Sequence, residues 1–537
     1  MFSTINKWVV AALIASGVLL VSGVILHDYP FMDVATRYAP MAEAFAEGDW
    51  DFAFHPRIQS LQVISGGIIC FLTGLDGHMA QKTASALWHI IGGFLIFFML
   101  RDIYPKKRFI AWGSTVFYAF FPYSFHVAVS GMRDSAKTTL LILTAWGLIK
   151  ILQNNRRWNG YWMLGIGCAL SVILRADTVM SGIACLFTGM VIECREKKFP
   201  LYSVLPAILT ASTLIAASAI NGFVGGAAMP DYRFAKVFHE LSGRMPEITD
   251  ALLVIGGLLI LMLLTAKLAA ICVDFFGIAI IIELMIAGTV IISVYSASEV
   301  TSLQIAEFLS ELFKGFYRFA GVFIFLTILV RLWQNKLTAP EIILILVGLI
   351  NAVLNILPMQ LFHHLYVDSR YLYAGVVLLS GIFIIGIESI YRWLHQYVNH
   401  KFCHILLLLS CAAIIVAFSI HAFQPTIRHY TRAINGRASA MQLTEMIRKD
   451  YNGPATGQVK LSLSDYKSKK HPKVFFRQVT LVMNSAYLAG GSLADWYRDA
   501  DYVVSCDGPG KSPVKLKLIG KTDVPGQPEY SLWRVIK

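Results

Sequence analysis

Charge is what this 537-residue chain has least of: only 15% of its residues are Asp, Glu, Lys or Arg, against about 25% in a soluble globular protein. Much of the chain therefore does not face water. Acids are scarcer than bases, 33 against 46, yet the excess sits in short loops between apolar runs. The positive-inside rule places Lys and Arg there, so the net charge does not indicate a nucleic-acid partner. No CxxC pair occurs, and Cys70, Cys168, Cys185, Cys272 and Cys411 fall inside apolar runs, where Cys behaves as a small hydrophobe. Cys506 has no evident partner in the C-terminal region, so a disulfide framework is not indicated. Also missing are GxxxxGK[ST], HExxH and GxSxG, which argues against P-loop, zinc-protease and α/β-hydrolase chemistry. "FHHLY" lacks partner ligands at metal-site spacing. "MFSTINKWVV" opens like a signal peptide but is followed by no small-x-small cleavage site, so an uncleaved first span is expected.

What is present is apolar. Hydrophobic residues make up 56% of the chain, and runs near the ~20 residues that cross a bilayer recur from Trp8 to Ile420. This predicts an all-α polytopic membrane protein. The basic connectors are Lys7, "RDIYPKKR" (101–108), "QNNRRWN" (153–159), "CREKK" (194–198), "RLWQNK" (331–336) and "YRWLHQYVNHK" (391–401). All belong on the cytoplasmic side. That is consistent only if 58–74 is an interfacial or re-entrant helix on the outer side and 83–100 is the second span. Further spans are expected near 109–123, 139–152, 161–174, 178–193, 201–222, 249–266, 274–295, 316–330, 340–357, 372–388 and 402–420. The total is about thirteen crossings, with the N-terminus inside and the C-terminus outside. Residues 1–424 thus form a membrane domain, including a first outer loop at 27–82, and 425–537 read as a small soluble α/β domain beyond the membrane.

Four polar clusters collect on the outer side. The first loop carries Asp28, Asp33, Arg37, Tyr38, His55 and Arg57. Within it, Ala35, Tyr38, Met41, Ala42 and Phe45 make the apolar stripe of an amphipathic helix lying at the interface. "HVAVSGMRDSAKTT" holds Arg133, Asp134 and Lys137, "ILRADTVMSG" holds Arg175 and Asp177, and "FHHLYVDSRYLYAG" holds His363, His364, Tyr366, Asp368, Arg370 and Tyr371. Each has a structural alternative: solvated acids, Asp134 as a helix cap, an Arg175–Asp177 ion pair, histidines as interfacial polar tips. Ionisable groups at membrane depth are costly, however, and convergence on one side suggests a shared cavity. A carboxylate can serve as general base to a hydroxyl, while Arg and His suit a phosphate leaving group. The combination points to group transfer from a phosphate-linked lipid to an acceptor hydroxyl.

"MDVATRYAPMAEAFAEGDW", "FHPRIQSL" and "GHMAQKTASALWHIIGGFLIFFMLRDIYP" resemble the first outer loop and second span of class C integral-membrane glycosyltransferases. The resemblance is to bacterial relatives of protein O-mannosyltransferases and of the lipid A aminoarabinose transferase. "SGMRDSAKTTLLILTAWGLI" and "HHLYVDSRYLYAGVVLLSGIFIIGI" are similar to that family's second outer loop and late segment. The resemblance implies a polyprenyl-phosphate sugar donor, transfer with inversion, and a lipid, glycan or protein acceptor at the membrane. It implies that Asp33 is general base or binds the acceptor, and that Asp134 binds the acceptor or organises the cavity. Arg57, Arg370, Tyr371, His363 and His364 would contact donor phosphate, with Arg37, Tyr38, Arg133 and Arg175 in support. Two departures stand out: Val34 follows Asp33 where many relatives have a second acid, and "HPR" replaces a Lys-Pro order. Adjacent acids are what a divalent ion would use, so no metal ligands are assigned and the cofactor stays open, a divalent cation included. A transporter or flippase of a lipid-linked glycan is the alternative. It would want midplane charges and internal repeats of spans, and the chain shows neither. A non-enzymatic envelope scaffold would leave the acid and Arg/His clusters unexplained.

Overall fold

The computed structural model describes residues 34–54, 61–120, 122–153, 157–174, 321–334, 336–348 and 370–397. Toward the C-terminus it describes 438–451, 459–463, 500–505, 514–524 and 529–536, with isolated positions between these segments. A π-helical turn at Val34–Tyr38 runs into helix α1 (Ala39–Glu47). Then come α2 (Trp50–Ala53), α3 (Leu61–Thr73), α4 (Gly77–Ile103), α5 (Arg108–Phe120), α6 (Pro122–Val129), α7 (Asp134–Leu152) and α8 (Arg157–Leu174). After these stand α9 (Gly321–Trp333), α10 (Ala339–Gly348), α11 (Arg370–Leu378) and α12 (Ser380–Tyr397). The expected first span and those near 178–193, 201–222, 249–266, 274–295 and 402–420 lie wholly or mostly outside the described residues.

Length decides what each helix can do. The 27 residues of α4 reach about 40 Å at ~1.5 Å per residue, and α4 and α7 are apolar enough to cross a membrane. The 13 residues of α3 reach only about 20 Å, too short for a ~30 Å hydrocarbon layer. It lies beside the first half of α4: Trp88 Nε1 donates to Ser65 Oγ at 3.2 Å, and a Cβ on Gly66 would strike the Gln81 amide. Its outward residues Phe71 and Leu72 are each 72% exposed, as apolar side chains facing lipid would be.

The polar bonds fix the helix directions. Ser85 Oγ and Ser135 Oγ are 3.4 Å apart, Thr139 Oγ1 donates to the Trp88 carbonyl at 2.7 Å, and Lys150 pairs with Asp102 at 2.5 Å. Both numbers rise together, so α4 and α7 run parallel. α8 returns against α7 through facing glycines: a Cβ on Gly147 would lie 2.9 Å from the Gly160 carbonyl, and one on Gly160 would lie 3.0 Å from that of Gly147. Small residues let the two backbones approach, as membrane helix pairs require. The path of α11 and α12 follows α4: Tyr373 OH donates to Ser124 Oγ at 2.7 Å, Gly381 faces Leu100, and Lys107 pairs with Glu388 at 2.9 Å.

At the end of the bundle where α4 and α7 finish, distant connectors meet. Arg331 Nη2 donates to both oxygens of Glu341 at 2.8 Å, Tyr104 OH donates to the same carboxylate at 2.7 Å, and the Thr338 amide adds a bond at 2.8 Å. Glu388 holds both Lys107 and Arg392. The basic stretches 101–108 and 331–336 and the start of 391–401 therefore share one end, the arrangement that loop charge requires.

The C-terminal residues build a mixed sheet of β1 (Lys460–Leu463), β2 (Ser492–Leu493), β3 (Tyr502–Ser505), β4 (Lys515–Lys521) and β5 (Ser531–Ile536) in the order β2-β1-β3-β5-β4. Leu443 and Ile447, on a helix at 438–450, bury with Leu461, Tyr502 and Leu532 of the sheet. Tyr502 OH donates to Asp450 at 2.9 Å. Burial, then that bond to a carboxylate, holds its phenol well above the ordinary range, so it stays a donor at neutral pH.

Glu341 is 1% exposed, so removing its cation strands a buried charge. Arg331→Met should lower stability by about 3–5 kcal/mol. The double variant Arg331→Met/Glu341→Leu should recover most of that in thermal unfolding of the detergent-purified protein.

Candidate active site

The opposite end, where α4 and α7 begin, holds the polar groups of the first two clusters. Tyr38 is buried, and its carbonyl accepts from Gln81 Nε2 at 3.1 Å. Gln62 Nε2 donates to Gln81 Oε1 at 2.9 Å and to the Gly131 carbonyl at 3.3 Å. Two side-chain amides thus join the first loop, α3, α4 and the turn that enters α7. Gly131 sits at φ +75°, and a Cβ there would lie 3.3 Å from both Lys82 Cγ and Val34 Cγ2. The position therefore combines a left-handed backbone with close packing. Ser85 Oγ donates to the Met132 carbonyl at 2.9 Å and holds the turn down on α4.

That turn delivers Arg133 and Asp134. The Arg133 guanidinium lies over the Tyr38 ring, 5.7 Å from its centroid, a cation–π contact. Its Nε is buried with no hydrogen-bond partner among the described residues. Asp134, 7% exposed, is the first residue of α7, where a carboxylate meets the positive end of the helix dipole. It is not the cap: Arg133 occupies the N-cap position and makes no side-chain capping bond.

Tyr38, Arg133 and Asp134 are thus brought together, while Arg37 is exposed on the π-helical turn. Arg370 and Tyr371 occupy the first turn of α11, which packs against α7; their side chains lie outside the described set. Asp33, Arg57, Arg175, His363 and His364 also lie outside it.

Two expectations need correction. The stripe of Tyr38, Met41 and Ala42 does not lie on the lipid surface. Tyr38 and Met41 bury with Val34, Val63 and Met132, and Ala42 buries with Cys70 and Ala80. A helix packed on two neighbours shows the same periodicity as one lying at an interface. The first outer loop also ends at Asp76 rather than 82: Asp76 Oδ1 accepts from the Met79 amide at 2.8 Å and caps α4 six residues earlier than hydropathy indicates. Three of those six residues, His78, Gln81 and Lys82, are polar, which is why hydropathy excludes the stretch.

The first half of α4 also contains what sequence reasoning missed. His78, Gln81, Lys82, Ser85 and His89 are all buried, Lys82 with no exposed surface at all. The signal lies in "GHMAQKTASALWH": polar residues recur every three or four positions along an otherwise apolar helix, the inverse of an amphipathic stripe. Buried cations at membrane depth are rare and functional by default. Among the described residues, no three His, Cys, Asp or Glu side chains group as a metal site.

Comparison with known proteins gives the class. Archaeal oligosaccharyltransferase AglB from Archaeoglobus fulgidus, solved with an inhibitory peptide and a dolichol-phosphate, superposes with TM-score 0.50 at 12% identity over 93% of this chain and 69% of that one. The apo form of the oligosaccharyltransferase from the same organism gives 0.51 at 13% identity over 93% and 70%. ArnT from Cupriavidus metallidurans, bound to undecaprenyl phosphate, covers 98% of both chains at 12% identity and TM-score 0.42. No curated protein sequence matches. The chain has the fold of class C integral-membrane glycosyltransferases. Within it, residues 68–219, from α3 through α8 and beyond, match the family described as dolichyl-phosphate-mannose-protein mannosyltransferase.

Gln81→Leu removes the partner of the Gln62 amide and of the Tyr38 carbonyl. Leaving such groups buried costs about 1–3 kcal/mol each, so the variant should unfold at a clearly lower temperature. An unchanged Tm would show that these amides do not hold the site.

Proposed function

We propose that this protein is a membrane glycosyltransferase that moves a sugar from a polyprenyl-phosphate donor to an acceptor hydroxyl, with inversion, on the extracytoplasmic side of a bacterial inner membrane. The observation that carries the reading is the placement of Arg133 over the Tyr38 ring, with the buried Asp134 next to it in the chain, at the end of the bundle where α4, α7 and α11 all begin. Parallel helices turn their positive ends to the same side, which favours an anion there. Arg133 adds a guanidinium with an open Nε donor, and Lys82 adds a buried ammonium.

In this reading Asp33 takes the proton of the acceptor hydroxyl as the acceptor oxygen attacks the anomeric carbon. The bond to the lipid phosphate breaks on the opposite face, and the departing phosphate keeps the electron pair. Charge builds on that phosphate in the transition state, where preorganised donors stabilise most. Arg57, Arg370, Tyr371, His363 and His364 are the residues assigned to it. Asp134 binds the acceptor or organises the cavity, with Arg37, Tyr38, Arg133 and Arg175 supporting. The acceptor is a lipid, glycan or protein of the cell envelope, and residues 425–537 form a periplasmic domain attached to the catalytic part at 1–424.

The test uses purified protein in nanodiscs with a panel of polyprenyl-phosphate sugars, reading release of polyprenyl phosphate in the presence of envelope acceptors. Asp33→Asn should leave the Tm unchanged and cut turnover by about 10²–10⁴-fold, the usual contribution of a general base. Turnover retained in a folded Asp33→Asn protein would overturn the assignment of the base.

A further inference from the structure

The C-terminal sheet carries an unlike-looking row of side chains at one end. Tyr502 of β3 stands opposite Arg534 of β5, and Arg534 stands opposite Lys517 of β4. Directly opposed residues share a face of the sheet, so the row reads Tyr–Arg–Lys on one side. Two cations opposed on neighbouring strands repel, and such a pair destabilises a sheet unless something negative lies against it. Arg534 is tied from one side by Asp450 at 3.5 Å. Lys517 is exposed and has no hydrogen bond or ion pair among the described residues.

The row borders a cleft of about 450 Å³ lined by Tyr451, Asp501, Tyr502, Lys517, Arg534 and Ile536, within the size range of small-molecule sites. The lining is mixed in a specific way. Lys517 and Arg534 offer only donors, Asp501 offers carboxylate oxygens, and Tyr451 and Tyr502 bring rings whose centroids are 6.5 Å apart. One Asp501 oxygen accepts from the Lys460 amide at 3.0 Å, and a carboxylate has capacity for further bonds. A site for bare phosphate would have no use for Asp501 at its wall, since like charge repels. A site for a neutral sugar would not need two opposed cations. A ring that carries hydroxyls and one acidic group answers to all of these features.

We propose that this cleft is a binding site for an anionic sugar unit, a pyranose bearing a carboxylate or a phosphate. Lys517 and Arg534 hold the acidic group, Asp501 accepts from a ring hydroxyl, and Tyr451 covers an apolar ring edge. The proposal is independent of the transfer reaction: it concerns the sheet alone and stands or falls without Asp33.

The experiment titrates the full-length protein in nanodiscs with galacturonate, glucose 6-phosphate, glucose and inorganic phosphate, following ligand signals by saturation-transfer difference NMR. At least one acidic sugar should bind, and which of the two does so identifies the acidic group. Lys517→Ala should weaken it about tenfold or more, as loss of a charged hydrogen bond does, while Lys517→Arg should retain most of the affinity. The Lys517 side chain makes no hydrogen bond or ion pair among the described residues, and alanine keeps its backbone pairing with Arg534, so the variant tests the cleft rather than the fold. Glucose binding as tightly as the acidic sugars, inorganic phosphate binding as tightly as they do, or Lys517→Ala binding unchanged would each overturn the proposal.

Discussion

Everything at the working end of this protein hangs on the need of the Gln81 amide for partners inside the protein. Gln81 is fully buried, and a buried amide must find partners within the protein, so it joins Gln62 and the Tyr38 carbonyl, and Gln62 goes on to Gly131. Four separate stretches of chain are positioned by two side chains. Arg133 lies over the Tyr38 ring because both are fixed to the same pair of amides: Tyr38 through its own carbonyl, Arg133 through the turn two residues before it. The geometry of the candidate site thus rests on these amide bonds together with the apolar packing of Tyr38 and Met41 against Val63 and Met132.

The two ends of the bundle use charge differently. Where α4 and α7 finish, three carboxylates are answered: Asp102 by Lys150, Glu341 by Arg331 and Tyr104, Glu388 by Lys107 and Arg392. Those pairs join helices distant in sequence and close that end. Where the helices begin, Arg133 has an aromatic ring beneath it but no carboxylate partner among the described residues. A guanidinium that is held in place yet not neutralised retains its field for a ligand, whereas the guanidinium of Arg331 is spent on Glu341.

What the sequence made legible follows from the range of each signal. Hydropathy is a local sum, so α4, α7 and α8 were evident, and the refusal of 58–74 to count as a full crossing followed from length and loop charge together. Asp134 and Arg133 were evident because charged residues interrupt an apolar run. The buried stripe on α4 was not read, although His78, Gln81, Lys82, Ser85 and His89 show helical spacing, because a polar stretch beside a loop looks like more loop. Only the Asp76 cap reveals where the helix starts. The burial of Tyr38 and Met41 was illegible for another reason: an apolar stripe states that one face is covered, not whether lipid or protein covers it.

Topology then connects the fold to its chemistry. A chain that alternates direction must place the starts of α4, α7 and α11 on one side once their returning partners run the other way. Three parallel starts put three sets of helix N-terminal amides at the same end, although on α4 Asp76 and Glu43 already accept from Met79 and Gly77. That asymmetry exists before any side chain is chosen, and it favours an anionic headgroup over a cationic one at that surface. Side chains sharpen it: Lys82 sits one turn inside α4, Arg133 one residue before α7, and Arg370 at the first position of α11. Each of these basic residues occurs where the backbone is already positive, with the carboxylates of Asp76 and Asp134 at the same helix starts as Lys82 and Arg133. A negative group arriving at that end, as a lipid phosphate would in the reaction proposed above, meets helix starts and basic side chains that all act on it in the same direction.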